Sequence, residues 1–322
     1  MPEDFRQERP ADFEGGHIRG LFLGLNWGAF SSVQRLSQEE DEDPSLLSQT
    51  RGWLRQLGIR GGRRLGQHFL VNRGVLHQIV AAAELGPADT VIEVGPGLGL
   101  LTRELVKRAG RVVAIELDER LATALGQSLH HPPNLSIINA DVLQVDPAAL
   151  IAQPQVTGYK VVANLPYYIT SPTLRHFLEA RVKPSLLVVM VQQEVGQAIV
   201  AKPGEMSLLA ISVQFYGQPR IVSKVPASCF FPRPKVDSVL LRIDVYSEPP
   251  VKVSAPSLFF NLVRAGFGSR RKQLRNSLAH GLQIAPQEAA SLLEQAGIDP
   301  RRRAETLSLE DWARLESRLA AG

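Results

Sequence analysis

The chain has 322 residues, 44% hydrophobic and 21% charged, which is enough to bury a core without metals or disulfides. Its one cysteine, Cys229, excludes an intrachain disulfide and a cysteine-ligated structural zinc, so no metal is expected and a reducing, cytoplasmic location is the default. The net charge of +4 divides into −6 over residues 1–50 and +10 over residues 51–322, so the working body is basic and suits an anionic partner, with nucleic acid first among the candidates.

Residues 1–50 read as an acidic leader without a stable fold. The run Gln38-Glu39-Glu40-Asp41-Glu42-Asp43-Pro44-Ser45 repels itself and stays solvated. Glu3 and Asp4 stand where an export signal carries Lys or Arg, and no apolar run approaches the ~20 residues of a membrane helix. Deleting the leader is expected to leave activity intact. Residues 51–64 are basic, place Trp53, Leu54, Leu57 and Ile59 at near-helical spacing, and end at the breaker Gly61-Gly62.

From residue 72 onward, helical and strand periods alternate. Helices are predicted over 75–85, 98–109, 118–129 with Asp118 as N-cap, and 171–180 with Pro172 in the first turn. Strands are predicted over 90–94, 111–116, 135–139, 159–164 and 186–191, then near 220–224 and 236–245. This alternation predicts a doubly wound, Rossmann-like α/β sheet. Beyond Pro249-Pro250 only helices are predicted, over 257–265, 270–279, 286–295 and 309–320. The expected organisation is a leader at 1–50, an α/β domain at 51–248 and a small all-helical domain at 249–322.

Glu93-Val94-Gly95-Pro96-Gly97-Leu98-Gly99 follows the first long strand and opens a helix. Gly95 and Gly97 let the backbone approach a ligand where a Cβ would clash. The dinucleotide fingerprint G-x-G-x-x-G needs a third glycine where Leu100 stands. Glu116 ends the second strand, 21 positions after Gly95, where an acid can accept hydrogen bonds from both ribose hydroxyls. These features point to an adenosine-containing cofactor and leave a nicotinamide cofactor and S-adenosylmethionine both open. Asp141, after the third strand, suits an adenine amino group or the cap of the following segment.

Asn164-Leu165-Pro166-Tyr167 stands at the carboxyl end of the fourth strand, the edge where open α/β sheets bind ligands. An adenine exocyclic amine is a poor nucleophile because its lone pair is delocalised into the ring. The Asn164 side-chain oxygen and the Leu165 carbonyl, held rigid by Pro166, could each accept one N–H and favour a pyramidal nitrogen aimed at a methyl donor. Tyr167 could stack on a flipped base. Catalysis is then mostly positioning.

The chain resembles the S-adenosylmethionine-dependent small-subunit rRNA dimethyladenosine transferases, the kasugamycin-sensitivity family, from about Leu57 to the C-terminus. The resemblance rests on Gly66-Gln67-His68-Phe69-Leu70, the glycine turn, Ile115-Glu116-Leu117-Asp118, Asn139-Ala140-Asp141, Asn164-Leu165-Pro166-Tyr167-Tyr168, the segment from Phe230-Phe231-Pro232 to Lys235-Val236-Asp237-Ser238, and Arg270-Arg271-Lys272-Gln273-Leu274-Arg275-Asn276-Ser277-Leu278. It implies that His68, where the family usually has Asn, lies against the cofactor with Leu70, Gly95, Gly97, Glu116, Asp141 and Asn164. It implies that Tyr167 and Phe230 clamp the target base. It also implies that the helical tail, with Arg271, Lys272 and Arg275, holds rRNA. Arg264 and Arg301-Arg302-Arg303 add further positive charge, and on a helix 271 and 275 would share a face.

The expected activity is transfer of two methyl groups to N6 of each of two adjacent adenines in the 3′-terminal hairpin of small-subunit rRNA, by a monomer working on a pre-ribosomal small subunit. The alternatives are a large-subunit rRNA resistance methyltransferase and an assembly checkpoint that acts mainly by binding. A nicotinamide dehydrogenase is disfavoured by Leu100.

Overall fold

The structure, a computed structural model, describes residues 44–58, 67–151, 158–269 and 271–321. The expectations for residues 1–43, Ile59, Gly61-Gly62, Gly66 and Arg270 lie outside the described residues. Helix α1 (Pro44–Gln56) begins inside the span expected to be leader, because Leu46, Thr50 and Leu54 recur on one side and are buried. The expected boundary at residue 50 therefore falls within a helix.

The chain continues through β1 (Phe69–Leu70), α2 (Arg73–Ala83), β2 (Thr90–Val94), α3 (Leu100–Val106), β3 (Arg111–Glu116), α4 (Glu119–Leu129) and β4 (Leu135–Asn139). It goes on through α5 (Pro147–Leu150), β5 (Lys160–Asn164), α6 (Thr170–Leu178), β6 (Leu186–Gln192), α7 (Gln193–Ile199), α8 (Leu208–Gln214), β7 (Gly217–Val225), β8 (Phe230–Phe231) and β9 (Ser238–Val245). The expected N-cap is present: the Asp118 side chain accepts the Arg120 N–H at 2.9 Å. Helix α3 is shorter than predicted and starts only after Gly99, whose φ of +78° and contact with Leu125 admit no side chain.

Seven strands form one sheet in the order β4-β3-β2-β5-β6-β9-β7. The first five pair in parallel, and β9 and β7 add antiparallel edges. Strand β2 lies between β3 and β5, so the chain winds outward to β4, returns, and continues on the other side. That reversal is the switch point where open α/β sheets leave a crevice at the carboxyl ends. Apolar residues of both sheet faces fill two cores, with Val161 and Leu187 on one and Val162 and Val188 on the other. Such two-sided burial explains the continuous apolar runs of β5 and β6. A separate two-stranded pair joins β1 to β8, with Phe69 opposite Phe231 and Leu70 opposite Phe230.

Four helices end the chain: α9 (Pro256–Phe267), α10 (Leu274–Leu282), α11 (Pro286–Gln295) and α12 (Leu309–Ala321). Their core, centred on Trp312, Phe259 and Leu274, also takes in Ala210, Ile211 and Phe215 from α8 and its end. The buried Glu316 of α12 accepts from the backbone N–H of Ser254 and Ala255 at 3.1 and 3.2 Å and from the Ser254 hydroxyl. It thereby satisfies orphan donors at the start of α9, which has no cap of its own. The helix expected from residue 270 begins at Leu274 instead, so Arg271 and Lys272 precede it and the shared helix face with Arg275 does not form.

Candidate active site

A cavity of about 170 Å³ opens at the β2–β5 switch point. One wall is the turn after β2. Gly95 and Gly97 have φ of +65° and +56°, and a Cβ on Gly97 would stand 3.0 Å from the Phe69 ring. The Gly97 N–H donates to Glu116 Oε2 and the Asp118 N–H to Glu116 Oε1, both at 3.0 Å. Glu116 thus braces the loops on either side of it while lining the cavity. A carboxylate has about four acceptor positions, so two bonds leave room for ligand hydroxyls. Burial pushes the Glu116 carboxyl above its ordinary range, and these N–H donors oppose the shift. Asp141 takes the capping role and stands in the cavity wall. Its Oδ1 accepts the Leu143 N–H at 3.0 Å as a cap, and the residue lines the cavity.

Glu93 lies deeper, 1% exposed in the cavity wall, with Oε2 unpartnered. Burial pushes its carboxyl up to about 8. Among the described residues, the lining contains Glu93, Glu116 and Asp141 and neither Lys nor Arg. Such a wall is unfavourable for a pyrophosphate, and it suits an adenosine compound carrying ammonium and sulfonium charges.

The opposite wall is the segment after β5. Asn164 Nδ2 donates to the His68 carbonyl at 2.9 Å, which orients the amide so that Oδ1 is left to accept. Leu165 is buried beside it, and Pro166 starts a short 3₁₀ turn over Tyr167–Ile169. The Tyr167 hydroxyl is held 2.7 Å from Ser238 Oγ, and its ring centroid lies 5.5 Å from that of His68. Leu70, Gln67 and Phe69 also line the cavity. The sequence alone assigns no role to Ser238. The signal that could have found it is its place at the start of β9, where β9 pairs with β6 next to β5.

One expectation needs correction. Phe230 does not line the cavity: its ring is buried in the core with Leu70, Val225 and Leu240. Opposed residues of an antiparallel pair point to one side, so the Leu70–Phe230 register turns both into that core, while Phe69 and Phe231 face α1. His68 lines the cavity, and its Nδ1 lies 2.6 Å from the Pro232 carbonyl in the β8 loop.

The basic tail also divides. Arg264, Arg271, Lys272 and Arg275 are exposed, and none has an acidic partner within 4 Å among the described residues. Arg301, Arg302 and Arg303 are paired with Asp299, Asp311 and Glu305 at 3.0, 3.3 and 3.8 Å.

A profile of the ribosomal RNA adenine dimethylase family matches residues 59–321. A Dehalococcoides mccartyi protein named ribosomal RNA small subunit methyltransferase A is 52% identical over 272 residues, covering 84% of this chain and 93% of that protein. A Moorella thermoacetica protein of the same name is 44% identical, covering 83% and 95%. Among solved structures, the 23S rRNA methyltransferase ErmE superposes with a TM-score of 0.62 at 31% identity, covering 78% of this chain and 99% of that one. A Plasmodium falciparum dimethyladenosine transferase gives 0.65 at 24% identity, covering 79% and 98%, and supports the fold. With a family match over residues 59–321 and relatives at up to 52% identity, the chain belongs to the ribosomal RNA adenine dimethylase family.

Proposed function

We propose that the protein dimethylates N6 of two adjacent adenines in the 3′-terminal hairpin of small-subunit rRNA within a pre-ribosomal particle, acting as a monomer. The observation that carries this reading is the orientation of Asn164 at the edge of a cavity whose far wall is built for an adenosine cofactor. When bound, S-adenosylmethionine supplies a methyl group on a reactive sulfonium. Gly95, Gly97, Glu116 and Asp141 would hold it.

The protein's own part is positioning. Asn164 Oδ1 and the Leu165 carbonyl accept the two amine hydrogens, which favours a nitrogen lone pair directed out of the base plane. Transfer precedes loss of the amine proton, so no buried base is needed to create the nucleophile. After one transfer the amine keeps a single N–H, and one acceptor suffices for the second. Tyr167, fixed through Ser238, offers a ring face to the flipped base. Residues 249–322 serve as the RNA-side domain, where Arg271, Lys272 and Arg275 contact phosphates without reading sequence.

The resemblance to ErmE at 31% identity favours a second reading, methylation of large-subunit rRNA. The small-subunit methyltransferases at up to 52% identity weigh against it. Purified unmethylated small and large subunits, offered separately with labelled cofactor and mapped for modified adenines, test both. Label confined to small-subunit rRNA is expected. Label on the large subunit alone overturns the reading.

A further inference from the structure

A small core lies apart from the two cores of the sheet and the core of the helical end. Among the described residues, four buried side chains make it: Leu54 of α1, Phe69 of β1, Leu98 of the glycine turn and Leu121 of α4. Trp53, Leu57 and Phe231 pack around them. Phe69 and Leu98 also line the cofactor cavity. Helix α1 lies ahead of residues 59–321, so the family match assigns it no role.

The position of Phe69 depends on this core. Strand β1 has two residues and pairs with β8 alone, outside the seven-stranded sheet. The Phe69 ring lies against Gly97, whose N–H donates to Glu116 Oε2. Helix α1 reaches the partner strand as well: the Arg51 guanidinium carbon stands over the Phe231 ring, 5.0 Å from its centroid, and Phe231 is opposite Phe69 in the register. A cavity of about 290 Å³, with Trp53 and Leu57 on one side and Gly97, Leu98 and Leu125 on the other, leaves Leu54 as the buried α1 residue in this core.

We propose that α1 is a clamp on the cofactor turn: Leu54 and Arg51 hold the Phe69–Phe231 pair against Gly97, and this hold sets the affinity for S-adenosylmethionine. Both are positioning residues, since neither lines the cavity. The other cores are far larger, so loosening the small one frees the turn while the rest of the fold stays closed. The cofactor must then order the turn as it binds, which lowers its affinity. Coupling between sites is reciprocal, so bound cofactor must also tighten α1.

Cofactor binding to the full chain is measured by calorimetry without RNA, so the outcome does not depend on which rRNA is the substrate. Leu54→Ala, Leu54→Met and Arg51→Ala are compared with the wild type, well below their thermal midpoints. Leu293→Ala, in the core of the helical end, is the control for lost stability. Leu54→Ala should raise Kd at least about fivefold, the lower end of coupling between sites. Leu54→Met keeps the volume and should stay within about twofold. Arg51 is exposed, so Arg51→Ala spares the fold and should raise Kd about two- to fivefold, the worth of an exposed cation–π contact. The control should lower the midpoint and leave Kd within about twofold. A wild-type Kd in Leu54→Ala or in Arg51→Ala overturns the proposal, as does a control whose Kd rises as far as that of Leu54→Ala. The second arm is amide hydrogen exchange over residues 44–56 of the wild type. Saturating cofactor should slow it at least about fivefold, with little change in α11. Exchange in α1 that ignores the cofactor overturns the proposal as well.

Discussion

The carboxyl edge of the sheet and the basic loop before α10 both present charged or polar groups to a ligand, in opposite ways. At the sheet edge each group is buried or half-buried and held by a named partner: Glu116 by two backbone N–H groups, Asn164 by a carbonyl, Tyr167 by a serine. In the loop Arg271 and Lys272, and in the first turn of α10 Arg275, stand in solvent without an acidic partner among the described residues. Preorganised groups in a low dielectric each carry a large share of a reaction barrier. Exposed cations each carry little and act in sum, through counterion release. The two regions should therefore fail differently.

The largest effect belongs to Asn164. Asn164→Ala should cut kcat on small subunits on the order of 10²-fold or more, since one preorganised partner of the reacting group is removed, with the thermal midpoint little changed. Near-wild-type turnover would break the comparison at its strongest point. Glu116→Ala should weaken cofactor binding by roughly 1.5–3 kcal/mol, the range for hydrogen bonds to a charged group. Calorimetric titration with the cofactor checks it, and an unchanged Kd removes Glu116 from the site.

Glu93 sharpens the buried side of the contrast through pH. Its carboxyl titrates near 8 when folded and at the ordinary 4.5 when unfolded. Between these values the folded state holds a proton that the unfolded chain has released. The stabilisation from that proton is complete below 4.5 and is lost as pH rises through about 8, with a slope of at most about 1.4 kcal/mol per pH unit. Glu93→Gln should flatten this decline in urea-unfolding curves recorded from pH 5 to 8. Parallel curves for the two proteins would show that Glu93 is not buried in its acid form.

The smallest effects are in the tail. Changing Arg271 and Arg275 together to Ala should lower the salt slope of RNA binding by at most about two and leave cofactor affinity alone. Changing Arg301 and Arg303 should leave the slope where it was, because both are already neutralised by acids of the same loop. The loop they occupy supports α10 through its backbone: Leu274 N–H donates to the Arg302 carbonyl and Arg275 N–H to the Pro300 carbonyl. Equal slopes for the two double variants would mean that ion pairing does not separate them.

Much of the fold was legible from periodicity. The spans 90–94 and 111–116 match β2 and β3, since a strand buried among parallel neighbours is a short apolar run with sharp polar ends, and 135–139 matches the edge strand β4. The tail helix over 286–295 matches α11 for the related reason that Pro286 marks its first turn. Helices α7 and α8 went unread because each has seven residues, too few to establish a period.

Local chemistry determined which residues matter: a glycine turn, an acid at a strand end and an asparagine-proline-tyrosine segment are contiguous motifs whose meaning depends on near neighbours in the chain. Tertiary structure alone decided which way those residues face. Phe230 turned into the core because two-residue strands 160 positions apart paired in one register and not the other, and a one-residue slip exchanges the faces. The arginines at 271 and 301 look alike in sequence, and only the placement of acids around them leaves one without an acidic partner among the described residues and makes the other half of an ion pair. The identity of a side chain is a local fact, whereas its partner, and with it its charge, burial and direction, belongs to whatever the fold brings within hydrogen-bond reach.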